Sequence, residues 1–172
     1  MASFRLVKEI RAPPSFVVDW WLDYSPDDPA LTPGMVDRRV HRVDDRTVRL
    51  TTDTRFAGGV RTTDGTVTRT GPQGWVMVGR VLSNGVVVST LHTAYTVEPT
   101  PTGSRVVADF EFEGKDLVWK LLIGVSRFSL RRDRNRAFDR YVVAIEKEFA
   151  SPSAPSPGSA NSSVAADRAP SA

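Results

Sequence analysis

The feature that most constrains this chain is the stretch 35–113, where short runs rich in valine and threonine are broken again and again by turn signals. These fall at Asp44-Asp45, Gly58-Gly59, Gly71-Pro72 with Gly74, Asn84-Gly85, and from Pro99 to Gly103. β-Branched side chains fit a pleated surface, and glycine, proline, asparagine and aspartate interrupt it, so the pattern predicts six strands joined as a meander. Asn84-Gly85 is the sharpest signal, because a two-residue type I′ hairpin needs positive φ at both positions. Along 48–56 the even positions read Val, Leu, Thr, Thr, Phe, while the odd ones include Arg49, Asp53 and Arg55. Similarly, Val106, Ala108, Phe110 and Phe112 alternate with Arg105, Asp109, Glu111 and Glu113. One face of this sheet is therefore expected to be wet and the other covered.

What flanks the meander supplies the cover. Residues 3–11 alternate as a strand, with Val7 and Lys8 as exceptions. Pro13 and Pro14 then lead into Phe16, Val17, Trp20 and Trp21 at helical spacing. Ser25-Pro26-Asp27-Asp28 offers a cap, a first-turn proline and first-turn acids for a second short helix that Pro33-Gly34 would stop. After Gly114, a helical pattern begins at Asp116. It runs through Leu117, Leu121, Val125 and Phe128 to Ala137, Phe138, Tyr141, Ala144, Ile145 and Phe149. It reads as helix in two pieces whose stripe lies on the sheet. The order of elements predicts an α+β domain of one sheet and one long helix.

Composition narrows the chemistry. Cysteine is absent from the 172 residues, which excludes disulfide frameworks, zinc-thiolate and iron-sulfur sites and cysteine nucleophiles. The apolar run 117–125 is interrupted by Lys120 and falls short of the roughly 18–20 residues of a bilayer span. Arg5, Lys8, Glu9 and Arg11 break up the N-terminus, which lacks the continuous apolar segment of a secretory signal, so a cytoplasmic location is expected. Residues 151–172 are almost entirely Ser, Ala, Pro and Gly; they cannot bury enough apolar surface to order themselves and are expected to form a disordered tail behind a domain of residues 1–150.

The residues Ile10-Arg11-Ala12-Pro13-Pro14-Ser15-Phe16-Val17 followed by Leu22-Asp23, the segment Gly103-Ser104-Arg105-Val106, and the closing helix from Tyr141 to Phe149 resemble the START-like or Bet v 1-like (SRPBCC) superfamily, which includes polyketide cyclase/dehydrase-related proteins. The resemblance covers residues 3–150. It implies a helix-grip fold, in which a curved seven-stranded antiparallel sheet wraps a long C-terminal helix in β-α-α-β6-α order. It also implies a cavity for a hydrophobic small molecule such as a lipid, a quinone or an aromatic polyketide.

No nucleophile elbow, Walker loop, dinucleotide fingerprint or His-Glu-x-x-His pair occurs, so the expected activity is binding or transport rather than catalysis, with no cofactor and no metal. A cyclase-type enzyme using Tyr95, Tyr141 or a histidine as acid or base is the alternative. His92 shares parity with Thr90 and Thr96, opposite Leu91, Tyr95 and Val97, and is expected to face solvent; His41 reads equally as a surface histidine or a base. The acids Asp19, Asp23, Asp27 and Asp28 cluster as hard-cation ligands would, but Asp27 and Asp28 read as helix caps and first-turn acids and no further ligand is spaced to complete a shell, so no metal is expected.

If the grip fold holds, the cavity lining is expected from Trp20, Trp21, Leu91, Tyr95, Phe110, Phe112, Phe138 and Tyr141. Arg134, one turn before Phe138 and one turn after Leu130, is a candidate for a ligand carboxylate or phosphate, or else an arginine extending its charge to solvent at the stripe's edge. Between residues 127 and 140, six arginines face only Asp133 and Asp139, an excess of four. Arg127, Arg131, Arg132, Arg136 and Arg140 are expected either to be a solvated face or to dock the chain onto an anionic membrane or RNA.

Overall fold

A computed structural model describes residues 1–24, 28–56 and 59–151. β1 (Ala2–Ile10) passes into α1 (Pro14–Asp23) and the single-turn α2 (Asp28–Leu31). The meander follows as β2 (Met35–Arg42), β3 (Thr47–Phe56), β4 (Gly59–Gly71), β5 (Gly74–Ser83), β6 (Val86–Thr100) and β7 (Gly103–Gly114), and α3 (Leu117–Ala150) closes the domain. Ser25, Pro26 and Asp27, the expected start of the second helix, lie outside the described residues, as do Gly58 and the tail from residue 152.

All seven strands form one antiparallel sheet in the order β1-β7-β6-β5-β4-β3-β2. The meander sets the order of β2 to β7. The first strand joins beside the last, in register from Ala2 opposite Phe112 to Ile10 opposite Ser104. Alternation decides the faces: Phe4, Leu6 and Ile10 are buried while Arg5, Val7 and Glu9 point outward. Asn84 and Gly85 adopt φ of 50° and 77°, the left-handed pair that a tight hairpin requires. In mid-sheet Gly65 pairs with Gly79, and a methyl group on Gly79 would stand 3.1 Å from the Asp64 carbonyl oxygen and 3.2 Å from the Gly65 Cα. Backbones this close need glycine, and here the two strands press together on the inner side.

α3 departs from expectation in two ways. It is one continuous helix of 34 residues, about 50 Å long at 1.5 Å per residue. The Asp116 side chain caps it by accepting from the Trp119 amide at 2.9 Å, and no proline interrupts it. Gly124 alone does not break a helix, because it costs only about 1 kcal/mol relative to alanine. The buried stripe also differs in the first half: Leu117, Leu121, Val125 and Phe128 are exposed, whereas Ile123 is buried and Trp119 and Leu130 are half-buried. From Ala137 onward the expected stripe does face the sheet, with Ala137, Phe138 and Ile145 buried. Both faces of the first half are apolar, so spacing alone chose the wrong one.

α3 packs chiefly on β1 and β7. Its C-terminal end is clamped by the three segments that resembled a known superfamily. The buried Ser104 hydroxyl donates to the Ala12 carbonyl at 2.5 Å, the Arg11 amide donates to Glu146 at 2.9 Å, Trp20 Nε1 donates to Glu148 at 2.7 Å, and the Phe16 and Phe149 rings meet edge-on at 5.2 Å. These motifs close the fold around the β1–α1 connection.

Candidate functional site

The concave face of the sheet can be read from register. Leu50 is buried, so Thr52 and Thr54 share its side; Thr52 pairs with Arg38 and Thr63, and Thr54 pairs with Arg61. In the same way Arg69 pairs with buried Trp75, and Trp75 pairs with Tyr95. By this register Arg38, Arg61 and Arg69 all stand on the inner side. No carboxylate occupies an inner position of β2 to β7 among the described residues, whereas Asp37, Asp53, Asp64, Asp109, Glu111 and Glu113 all lie on the outer side.

On the same face, next to Arg69, stands an aromatic wall. Trp21 touches Trp75, Tyr95, Phe138 and Tyr141, with ring centroids 5.1–5.7 Å apart. Tyr95 stacks on Trp75 at 4.7 Å, and Phe110 meets both Tyr95 and Phe138. Trp20 joins through Trp21 and Tyr141. Leu91 and Phe112, paired across β6 and β7, are buried next to this wall, Phe112 stacking on Phe4. All nine candidate residues therefore lie on the side of the sheet that α1 and α3 cover.

The cations are placed by rings. Arg134 lies half-buried with its guanidinium 5.9 Å from the centre of Phe110, Arg61 lies 5.2 Å over Trp119, and Arg38 lies 5.8 Å over Tyr24. A guanidinium over a ring face is attracted by its quadrupole. Arg134 thus turns toward the aromatic wall. Burial pushes the Tyr95 hydroxyl well above the ordinary tyrosine range, against the opposing pull of the Arg134 charge, so Tyr95 is a phenol at neutral pH. Its hydroxyl has no hydrogen-bond partner among the described residues, whereas that of Tyr141 is hydrogen-bonded to Thr32.

Other candidates fall outside this face. His92 is exposed on the outer side, 3.9 Å from Glu111, and His41 is exposed on β2 opposite Arg49. Asp19, on α1, instead reaches the inner side, where it pairs with Arg69 at 3.6 Å. An open groove of about 500 Å³ lies on the outer face along Arg49, Asp64, Thr66, Val78, Arg80 and Thr90, with Arg80 and Asp64 3.6 Å apart across it. Trp75, Arg38 and Arg61 were not anticipated. Strand parity reveals them: Trp75 and Met77 alternate with exposed Val78, and Arg61 stands two residues before Thr63 on the inner side.

No protein-family model matches the sequence, and no curated protein matches it. Solved structures do match in shape. The Zhui aromatase/cyclase from a Streptomyces species superposes with a TM-score of 0.67 at 10% identity, over 85% of this chain and 94% of that one. The di-domain ARO/CYC StfQ of the steffimycin biosynthetic pathway gives 0.66 at 15% identity, over 87% of this chain and 50% of that one. A protein from Chromobacterium violaceum gives 0.62 at 17% identity, over 85% and 99%. The chain has the helix-grip fold of START-like, Bet v 1-like (SRPBCC) proteins.

Proposed function

We propose that the protein binds a hydrophobic, oxygen-rich small molecule of the aromatic polyketide or quinone type between the concave face of the sheet and α3. The observation that carries this reading is the sorting of charge. Among the described residues the inner positions of β2 to β7 hold arginines and no carboxylate, on the same concave face as an aromatic cluster. Guanidiniums beside aromatic rings offer an anionic or strongly polar group a charge-assisted contact. Flat rings and guanidiniums gathered on one concave face suit a planar ligand bearing a carboxylate, phenolate or enolate. Two structural neighbours, the Zhui aromatase/cyclase and the StfQ ARO/CYC, support the polyketide class as ligand.

A cyclase-type reaction is the second reading, favoured by Tyr95 alone. A half-buried phenol held in its protonated form beside Arg134 can donate a hydrogen bond to a developing enolate, and is not available as a base at neutral pH. Both histidines lie on the wrong side of the sheet for that role.

The test is native mass spectrometry of protein purified from its own host, followed by solvent extraction. A stoichiometric aromatic or quinone-like compound is expected, and protein that is wholly empty overturns the reading. If the extracted compound is converted on incubation and Tyr95→Phe stops the conversion, the enzymatic reading holds.

A further inference from the structure

We propose that the outer face of the first three turns of α3 docks the protein onto an anionic lipid bilayer. Leu117, Val118, Leu121, Leu122, Val125 and Phe128 are all more than half exposed, reaching 86% at Val125 and 82% at Phe128. At 100° per residue they share one side of the helix, turned away from Ile123 and Leu130. Isolated exposed apolar residues are ordinary, whereas six contiguous ones mark an interaction surface.

The surrounding charge identifies the occupant. Residues 117–132 contain Lys120, Arg127, Arg131 and Arg132 and no acid. Lys120, Arg127 and Arg131, spaced by seven and four, form a row beside the apolar side, and Arg132 extends that side toward Arg136. All five are exposed, and none has an ion pair among the described residues. An apolar strip edged by cations matches a membrane interface, where acyl chains take up the apolar side chains and phosphates meet the cations. A nucleic acid would use the cations and leave the apolar side chains in water. The β5–β6 hairpin stands at the same end of the molecule, because Lys115 donates to the Val88 carbonyl at 3.0 Å, and its Val86 is also exposed. No described helix is long and apolar enough to cross a membrane, so contact through this face is interfacial.

The experiment is co-sedimentation of the full chain with vesicles of phosphatidylcholine alone or with 30% phosphatidylglycerol. Binding is expected to the phosphatidylglycerol vesicles only and to weaken with salt. Each of Arg127→Gln, Arg131→Gln and Arg132→Gln should lower the partition coefficient about fivefold. Val125→Ser with Phe128→Ser should lower it more than tenfold while leaving Tm and circular dichroism unchanged, since both side chains are already in solvent. The proposal is overturned by vesicle binding that survives the serine pair, by absence of binding to anionic vesicles, by binding to polyuridine RNA that the serine pair leaves intact with no vesicle binding, or by a dimer dissociated by the serine pair in place of vesicle binding. Ligand occupancy of the concave face enters none of these readouts.

Discussion

The two halves of α3 are built from similar residues and do opposite things. From Arg134 to Phe149 Ala137, Phe138 and Ile145 are buried, only Val143 and Phe149 among the large apolar side chains are exposed, and the helix is clamped to α1 through Trp20–Glu148 and Phe16–Phe149. From Leu117 to Phe128 the helix carries apolar residues on both sides: Ile123 and Trp119 inward, Leu121, Val125 and Phe128 outward. The first pattern is that of a core element. The second is that of an element with two partners, one being the concave face. A long helix can thus anchor a fold at one end and serve binding surfaces at the other without a break in its backbone.

The strongest way to break this comparison is a pair of identical truncations. Phe138→Ala should cost about 3–5 kcal/mol in chemical denaturation, and Phe128→Ala should stay within about 0.5 kcal/mol. Comparable losses at both positions would mean the two halves do not differ. Next, Arg134→Met should weaken binding of the extracted ligand, measured by isothermal calorimetry, about 10- to 100-fold, the worth of a charge-assisted hydrogen bond at roughly 1.5–3 kcal/mol. The same change at exposed Arg132 should leave that affinity within twofold.

Tyr95 sharpens the inner side through pH. Its folded-state pKa lies above the unfolded value, so its contribution is fully present below about pH 10 and is lost as pH rises further, by up to about 1.4 kcal/mol per pH unit. Tyr95→Phe should flatten this alkaline loss, and ultraviolet absorbance should show Tyr95 ionising only with unfolding. The smallest effect concerns Lys8 and Asp139, 2.5 Å apart where α3 meets β1. Asp139→Asn should cost less than about 1 kcal/mol, while Asp133→Asn, which has no ion pair among the described residues, should change nothing measurable in the same denaturation assay.

The sheet was legible because each strand carries two local signals that agree: alternation, as in Val48, Leu50 and Thr52 against Arg49 and Asp53, and turn residues such as Asn84-Gly85 at its end. Element order then left one place for the long helix. The helix stripe was half legible. Leu117, Leu121, Val125 and Phe128 have the spacing of a buried face, but periodicity reports that a face is apolar, not that something covers it. Covering depends on the sheet, whose contact with α3 is concentrated on β1 and β7. The aromatic residues of the site were visible as large side chains at inward positions. Trp75, Arg38 and Arg61 lie on strands whose existence the local pattern marks more clearly than their facing. An inward arginine also contradicts the expectation that inner faces are apolar, and only the pairing of Arg61 with Thr54 and of Arg38 with Thr52 locates it.

The most direct test of the concave face as a ligand site uses the three methionines as probes: Met77 on the inner side, Met1 exposed at the N-terminus, and Met35 at the start of β2. Methyl NMR spectra of ¹³C-methionine-labelled protein would be compared as isolated from its host and after solvent extraction. A ligand between the sheet and α3 predicts that the Met77 methyl resonance shifts on extraction and returns when the extract is added back, with Met1 unchanged. A Met77 resonance identical in both states would contradict it.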